Sequence, residues 1–364
     1  MKNPVSLLCL LLLTSTLICA CGNLPYYRQA VDGHFELMSK RKPVDDILAD
    51  ENSDAELIRQ LEVAKGIRDF ASTDLALPDN GSYRSYVDLG RDSVTWAVFA
   101  TPEFSLTPQL WCFPFAGCVP YRGYFSKQEA ERFADGLRDE GFDVHLGGTT
   151  AYSTLGWFDD PLLNTMMLRG ETGMAGIIFH ELAHQAVYVE DDTTFNEAFA
   201  VAVQEEGVRR WLQAHGSAGS LQAYEQALVR KSEFIKLVRK TRERLQEVYA
   251  SDRSEDELRA AKLLAFKEMR AQYQRLKDSW EGSGGYDWWF YGSLNNAKLA
   301  AVSVYRDLVP DFNRLLDACD GEFDRFYQAV ERLGALDPKT RLRTLNAASC
   351  NRAIMTHSEQ TPAI

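Results

Sequence analysis

Two spacings of apolar residues alternate along the chain. From Tyr26-Tyr27-x-x-Ala30 onward they fall at helical intervals until Lys42-Pro43 interrupts them, and they do so again from Asp54 to Phe70. Residues 80–125 change character. The stretch 94–100 is β-branched and aromatic, as is the stretch around Trp111, with turn residues between, which predicts strands. Ser126-Lys127-Gln128-Glu129 has the form of a capping box and predicts a helix that stops at Gly141. Residues 143–146 and 151–157 read as two more strands. Helices follow over 172–188 and 194–214, joined by the acidic turn Glu190-Asp191-Asp192. From Leu221 to about Trp280, Glu, Lys, Arg, Gln and Leu dominate, with a break at Ser251-Asp252-Arg253-Ser254, the pattern of a long helical hairpin with solvated outer faces. Residues 281–285 form a glycine-rich flexible joint, and the remainder, through Asn295-Asn296-Ala297, is mainly helical.

Composition places this pattern in an ordinary globular protein: 45% of residues are apolar and 25% charged over 364 residues, enough to bury a sizeable core. The net charge is −12, with no long basic run, which argues against nucleic-acid binding because phosphate contacts need clustered Lys and Arg. The N-terminus adds a compartment. After Met1-Lys2-Asn3, an apolar run from Leu7 to Ile18 spans about a dozen residues, short of the roughly twenty that cross a bilayer. It closes with Ile18-Cys19-Ala20-Cys21-Gly22, which resembles a lipoprotein signal. That resemblance makes residues 1–20 a signal peptide and Cys21 the acylated first mature residue, and more than one chain suffices for stable anchoring. Gly22 rather than Asp after the cysteine is similar to signals that sort to the outer membrane, facing the periplasm.

Export implies an oxidising compartment. Cys112, Cys118, Cys319 and Cys350 remain after the leader, and four cysteines allow three pairings. The simplest reading joins Cys112 to Cys118 across the intervening Pro/Gly loop and Cys319 to Cys350. A thiolate metal site is disfavoured, since no Cys-x-x-Cys spacing is present.

The candidate chemistry lies at His180-Glu181-Leu182-Ala183-His184. Residues four apart share a helix face, so His180 and His184 can offer two imidazoles to one ion. Glu181 is then placed as a general base, taking a proton as water attacks a peptide carbonyl and passing it to the leaving amine. The preceding turn, Ala175-Gly176-Ile177-Ile178-Phe179, is apolar, so the motif lies in a helix that reads as buried, where unpaired polar residues are costly. A catalytic zinc takes three protein ligands. Among Glu190, Asp191, Asp192, Glu197, Glu205 and Glu206, we favour Glu197, set among small apolar residues where a carboxylate needs a cation or hydrogen bonds. The competing reading makes Glu197 the far end of a capping box, Thr194-Phe195-Asn196-Glu197.

His-Glu-x-x-His followed on the next helix by Asn-Glu-Ala resembles the thermolysin-type and aminopeptidase-type gluzincins. The resemblance implies His180, His184 and Glu197 as zinc ligands and Glu181 as the base. Two departures stand out: only thirteen positions separate His184 from Glu197, so the connecting loop must be tight, and Val201 stands one turn after Glu197 where an acidic residue would support a histidine. More of the chain is similar to the predicted aminopeptidase lipoproteins of bacteria, on Tyr26-Tyr27-x-x-Ala30, Tyr121-Arg122-Gly123-Tyr124-Phe125, residues 151–158, the 180–199 motif and Asn295-Asn296-Ala297. In related peptidases an edge strand before the zinc helix pairs with an extended substrate. By that comparison 151–157 is the substrate strand, with Tyr152, Ser153, Leu155, Gly156 and also Asn296 as candidate substrate-binding residues. Tyr121, Arg122, Tyr286 and Tyr305 are further candidates for holding an oxyanion or a peptide terminus, although a structural role is the simpler reading of each.

The expected fold is α+β: a small sheet before a zinc-binding, zincin-like two-helix core (80–220), after an N-terminal helical segment (21–79), with a helical hairpin (221–285) and a helical C-terminal region (286–364). The expected function is zinc-dependent peptide hydrolysis in the cell envelope by a lipid-anchored aminopeptidase. One alternative is a zinc endopeptidase acting on envelope proteins. Another, of a different class, is a non-catalytic lipoprotein that binds peptides or partners around a structural metal.

Overall fold

The computed structural model describes residues 24–113, 117–282, 285–303 and 308–350. Cys21, Tyr305 and part of the glycine-rich joint lie outside the described residues. The architecture is α+β, mostly helical with small sheets. Helix α1 (Leu24–Ser39) leads through the two-residue strand β1 (Lys42–Pro43) and a short α2 (Val44–Ala49) to α3 (Ala55–Thr73), capped by the Asp54 carboxylate, which accepts from Leu57 N. Lys42-Pro43 ends α1 as expected, but residues 44–49 add a turn of helix that the sequence pattern did not announce.

Strand β2 (Ser85–Val87) pairs antiparallel with β1 and parallel with β8 (Leu162–Leu163). A second sheet is antiparallel throughout: β3 (Trp96–Pro102) lies between β6 (Arg122–Tyr124) and β7 (Phe142–Gly148). Its inner face packs on α4 (Lys127–Asp139), where Val98, Ala100, Tyr124 and Val144 meet Ala130 and Ala134. Ser126 caps α4 by accepting from Glu129 N, and Gly141, at φ +87°, turns the chain into β7. Strands β4 (Trp111–Phe113) and β5 (Gly117–Val119) form a small hairpin whose directly paired Cys112 and Cys118 are disulfide-bonded.

After the short α5 (Asn164–Met167), helices α6 (Gly170–Ala186) and α7 (Thr193–His215) run antiparallel through the main core. Both are apolar around much of their circumference, the mark of helices buried by neighbours on several sides. Their close approach needs small residues: a Cβ on Gly207 would meet Leu75 Cδ1 and Phe179 Cδ2, each at 2.8 Å. Helix α3 packs on them from one side. The C-terminal helices α12 (Val309–Ala318), α13 (Phe323–Gly334) and α14 (Pro338–Asn346) pack from the other, through Phe312, Phe326 and Tyr327 against Phe195 and Phe199. A Cys319–Cys350 disulfide ties this layer together. Helices α8 (Ser220–Tyr249) and α9 (Glu255–Ser279) form the long hairpin. With α10 (Asp287–Phe290) and α11 (Asn296–Ser303) they enclose a second core around Phe234, Phe266, Trp289 and Leu299.

One expected element is absent. Residues 151–157 are not a strand but an irregular loop. The Asp160 carboxylate folds it back, accepting from Thr154 N (2.9 Å), Thr154 Oγ1 (2.8 Å) and Ser153 Oγ (3.3 Å). Leu155 and Gly156 then take φ of +54° and +84°. Consecutive left-handed residues cannot continue a pleated strand, and these local bonds replace the ladder that the aromatic composition suggested.

Candidate metal centre

Helix α6 carries His180 and His184 one turn apart, and α7 runs back beside it with Glu197 near its start. The crossing between them is short. Asp192 caps α7, its Oδ1 accepting from Phe195 N (3.1 Å), while its other oxygen pairs with the Arg341 guanidinium of α14. The N-cap role is therefore filled by Asp192, and Glu197 is left free to turn towards α6.

The three side chains converge. His180 Nε2 and His184 Nε2 are 3.2 Å apart. Glu197 Oε2 lies 3.3 Å from His180 Nε2, and Oε1 lies 3.6 Å from His184 Nε2. Donors on a tetrahedral zinc at about 2.0–2.1 Å stand roughly 3.3 Å from one another. These separations fit that geometry, and the group can hold a metal ion. Side-chain exposure is 5% at His184, 17% at His180 and 26% at Glu197, so the group is walled on the His184 side and open towards Glu197.

Electrostatics suit a shared cation. Burial disfavours charge on His180, but the Glu197 hydrogen bond and the neighbouring carboxylates outweigh it and raise its pKa. Burial alone would raise Glu197, yet His180 beside it holds the carboxyl below its usual range. Burial, with the charge of His180, pushes His184 down to about 4, which keeps its imidazole neutral and able to donate a lone pair. Glu181 is raised, chiefly by burial, while His180 opposes the shift and Glu197 adds to it. A base with a raised pKa can return its proton.

Support for the histidines differs from the family pattern named above. Nδ1 of both rings is buried with no hydrogen-bond partner among the described residues, although the Gln204 amide lies close enough to His180 to favour its charged form. Gln204 lies two turns after Glu197 on α7, packed over Gly176 of α6. An amide two turns after Glu197, on the same face of the helix, was a legible signal.

Of the other predicted residues, Ser153 is brought to the site, its hydroxyl beside Glu181. Gly156 lies against Gln185 of α6. Leu155 N donates to Ser153 Oγ (3.2 Å), and the Tyr152 hydroxyl meets His34 Nδ1 (3.2 Å), so these two brace the loop. Asn296 is placed elsewhere: fully buried, it donates to the Glu103 carbonyl (2.9 Å) and accepts from the Tyr249 hydroxyl (3.0 Å), which pins α11 to the strand layer. Tyr121 stands near Glu197 and Glu181, and its pKa is raised by burial and then by those charges. Arg122 instead stacks on Tyr26 at 4.0 Å, and Tyr286 on Phe234 at 4.1 Å.

Two tyrosines near the group carried no sequence signal of their own. Tyr188, just past α6, lies edge-on to His184 with centroids 6.2 Å apart. Tyr83 is buried at φ +62°, and its hydroxyl has no partner among the described residues. Burial first, then the charges of Glu181 and Asp160, raise its pKa. Its backbone is fixed by Asp160, whose carbonyl accepts from Tyr83 N at 2.6 Å. The loop before it is fixed by the fully buried Arg68, which donates to the carbonyls of Ser82 (2.8 Å), Pro78 (2.8 Å) and Asn80 (3.0 Å).

An apolar two-helix core that presents two imidazoles and a carboxylate at zinc-like separations, with a further half-buried carboxyl alongside, defines a protein equipped to bind a metal. A family model described as "Putative aminopeptidase" matches residues 25–345, and the chain belongs to that family. Membership suggests peptidase activity, that is, a hydrolase. No curated protein and no solved structure matches the chain.

Proposed function

We propose that the protein is a zinc-dependent peptidase of gluzincin type, an aminopeptidase anchored in the cell envelope through Cys21. The observation that carries this reading is the spacing of His180, His184 and Glu197, each pair of donor atoms falling near the separation that tetrahedral zinc imposes. Two imidazoles and one carboxylate suit zinc by ligand type as well. When bound, zinc would supply a Lewis acid that polarises a peptide carbonyl and lowers the pKa of water to about 7.

The chain's own residues perform the rest. His184, neutral and walled in, and His180, open on one side, hold the cation together with Glu197. Glu181 stays out of the ligand set. Its carboxylate takes the proton of the attacking water and delivers it to the amine that leaves, a transfer favoured by its raised pKa. The Ser153 hydroxyl lies beside that carboxylate. The Tyr121 phenol, kept protonated by burial and by the carboxylates near it, is a donor for the oxygen that gains charge.

The test compares wild type with Glu181→Gln on a mixed peptide pool, reading new termini by mass spectrometry and metal by elemental analysis. We expect about one zinc per chain in both proteins, loss of single N-terminal residues with wild type, and a fall of about two to four orders of magnitude in the variant. Internal cuts would replace aminopeptidase with endopeptidase. Equal behaviour of the two proteins would remove catalysis and leave a peptide-binding lipoprotein.

A further inference from the structure

Helix α1 presents an apolar stripe that faces away from the protein. Leu24, Tyr27, Val31 and Phe35 are exposed by 66%, 39%, 51% and 66%, and their spacing puts them within one sector of the helix. The inner face is separate: Leu37 is buried, Gly33 lies against the Phe125 ring, and Gln29 Oε1 accepts from Phe125 N. The polar face is occupied by the i,i+4 pairs Arg28–Asp32 and Glu36–Lys40. The helix thus carries three faces, and among the described residues the apolar one stays largely exposed.

The stripe continues onto a second element. His34, at the edge of the stripe, meets the Phe158 ring at 4.9 Å and the Tyr152 hydroxyl at 3.2 Å. Phe158 and its neighbour Trp157 are themselves 54% and 76% exposed. An exposed apolar helix face flanked by Trp, Tyr and Phe is the composition that settles at a bilayer interface. In sequence, the stripe begins three residues after Cys21, the residue read as carrying the lipid. None of the described helices is long and apolar enough to cross a membrane.

We propose that this face lies on the lipid surface, with α1 parallel to the membrane plane and Trp157 and Phe158 set into the interfacial layer. The inference rests on the envelope-anchored reading above and adds an orientation to it. The loop that touches lipid through Trp157 is also the one that carries Ser153 to Glu181, so this orientation brings the metal group towards peptide segments held at the membrane surface.

The test uses the full chain reconstituted in phosphatidylethanolamine/phosphatidylglycerol vesicles whose acyl chains carry bromine, a short-range quencher of tryptophan. Wild type should be quenched, Trp157→Phe should lose most of that quenching, and the double substitution Val31→Gln with Phe35→Gln should reduce it at least two-fold with zinc content unchanged. Quenching that is absent, or equal in wild type and Trp157→Phe, overturns the proposal. So does a dimer in sedimentation that the double substitution dissociates, because a second copy then covers the face. Fatty-acid labelling on the same samples separates the two readings: a labelled but unquenched protein refutes the orientation alone, and an unlabelled one refutes the anchor.

Discussion

Asn196 holds Val189 by both of its backbone groups: Oδ1 accepts from Val189 N at 2.8 Å, and Nδ2 donates to the Val189 carbonyl at 2.7 Å. The pair spans the turn between α6 and α7 and closes it as a strand partner would. This is how thirteen positions suffice between His184 and Glu197. The residue that grips the turn is also the one directly before the carboxylate it positions.

Replacing Asn196 by Ala leaves both groups of Val189 without that partner in a site where Asn196 is 2% exposed. The expected loss is about 2–4 kcal/mol, read as a lower urea midpoint. Zinc affinity should fall as well, since the turn sets Glu197. Asn196→Asp keeps the acceptor but sets a charged oxygen against the Val189 carbonyl in the same buried site, so it should lose at least as much as Asn196→Ala. Wild-type stability in Asn196→Ala would show that the clamp contributes nothing.

Removal of the metal should be reversible. A strong chelator is expected to strip the zinc and abolish hydrolysis, with activity restored by zinc. His180→Ala, His184→Ala and Glu197→Ala should each lose the ion, whereas Glu181→Gln should keep it. Full zinc affinity in Glu197→Ala would remove Glu197 from the ligand set.

The two disulfides differ in setting. Cys319 and Cys350 are buried and separated by 31 positions, and a loop of that size corresponds to about 3.5 kcal/mol of stability. Cys112 and Cys118 are exposed, six positions apart, which corresponds to about 2.5 kcal/mol. Mild reductant should therefore open Cys112–Cys118 first, with little change in zinc content. Thiol trapping followed by peptide mapping checks the order.

Cys21→Ser should abolish labelling by a tagged fatty acid and release the protein from the membrane fraction, because the proposed anchor depends on acyl chains at that sulfur. Label retained in the variant would place the lipid elsewhere.

Local chemistry was readable without a fold. The helical runs, the Ser126 cap and the shared face of His180 and His184 depend on residues a few positions apart, and near neighbours obey fixed helix geometry whatever surrounds them. The simplest cysteine pairing followed from separation and is the one found. Glu197 stood between two roles on the sequence, and the packing bears on both: Asp192, held by Arg341 from a helix near the far end of the chain, takes the cap, and the Glu197 carboxylate turns to His180 and His184. Residues 151–157 misled for the converse reason. Their aromatic and β-branched composition favours a strand, but a strand needs a partner edge, and Asp160 supplies closer bonds that fold the segment into a loop. Tyr83 had no periodic signal because its place beside Glu181 depends on Arg68 and Asp160, residues from two separate segments that meet only when the core closes. Sequence determines what neighbours along the chain can do together; which distant side chains share a site is decided by packing.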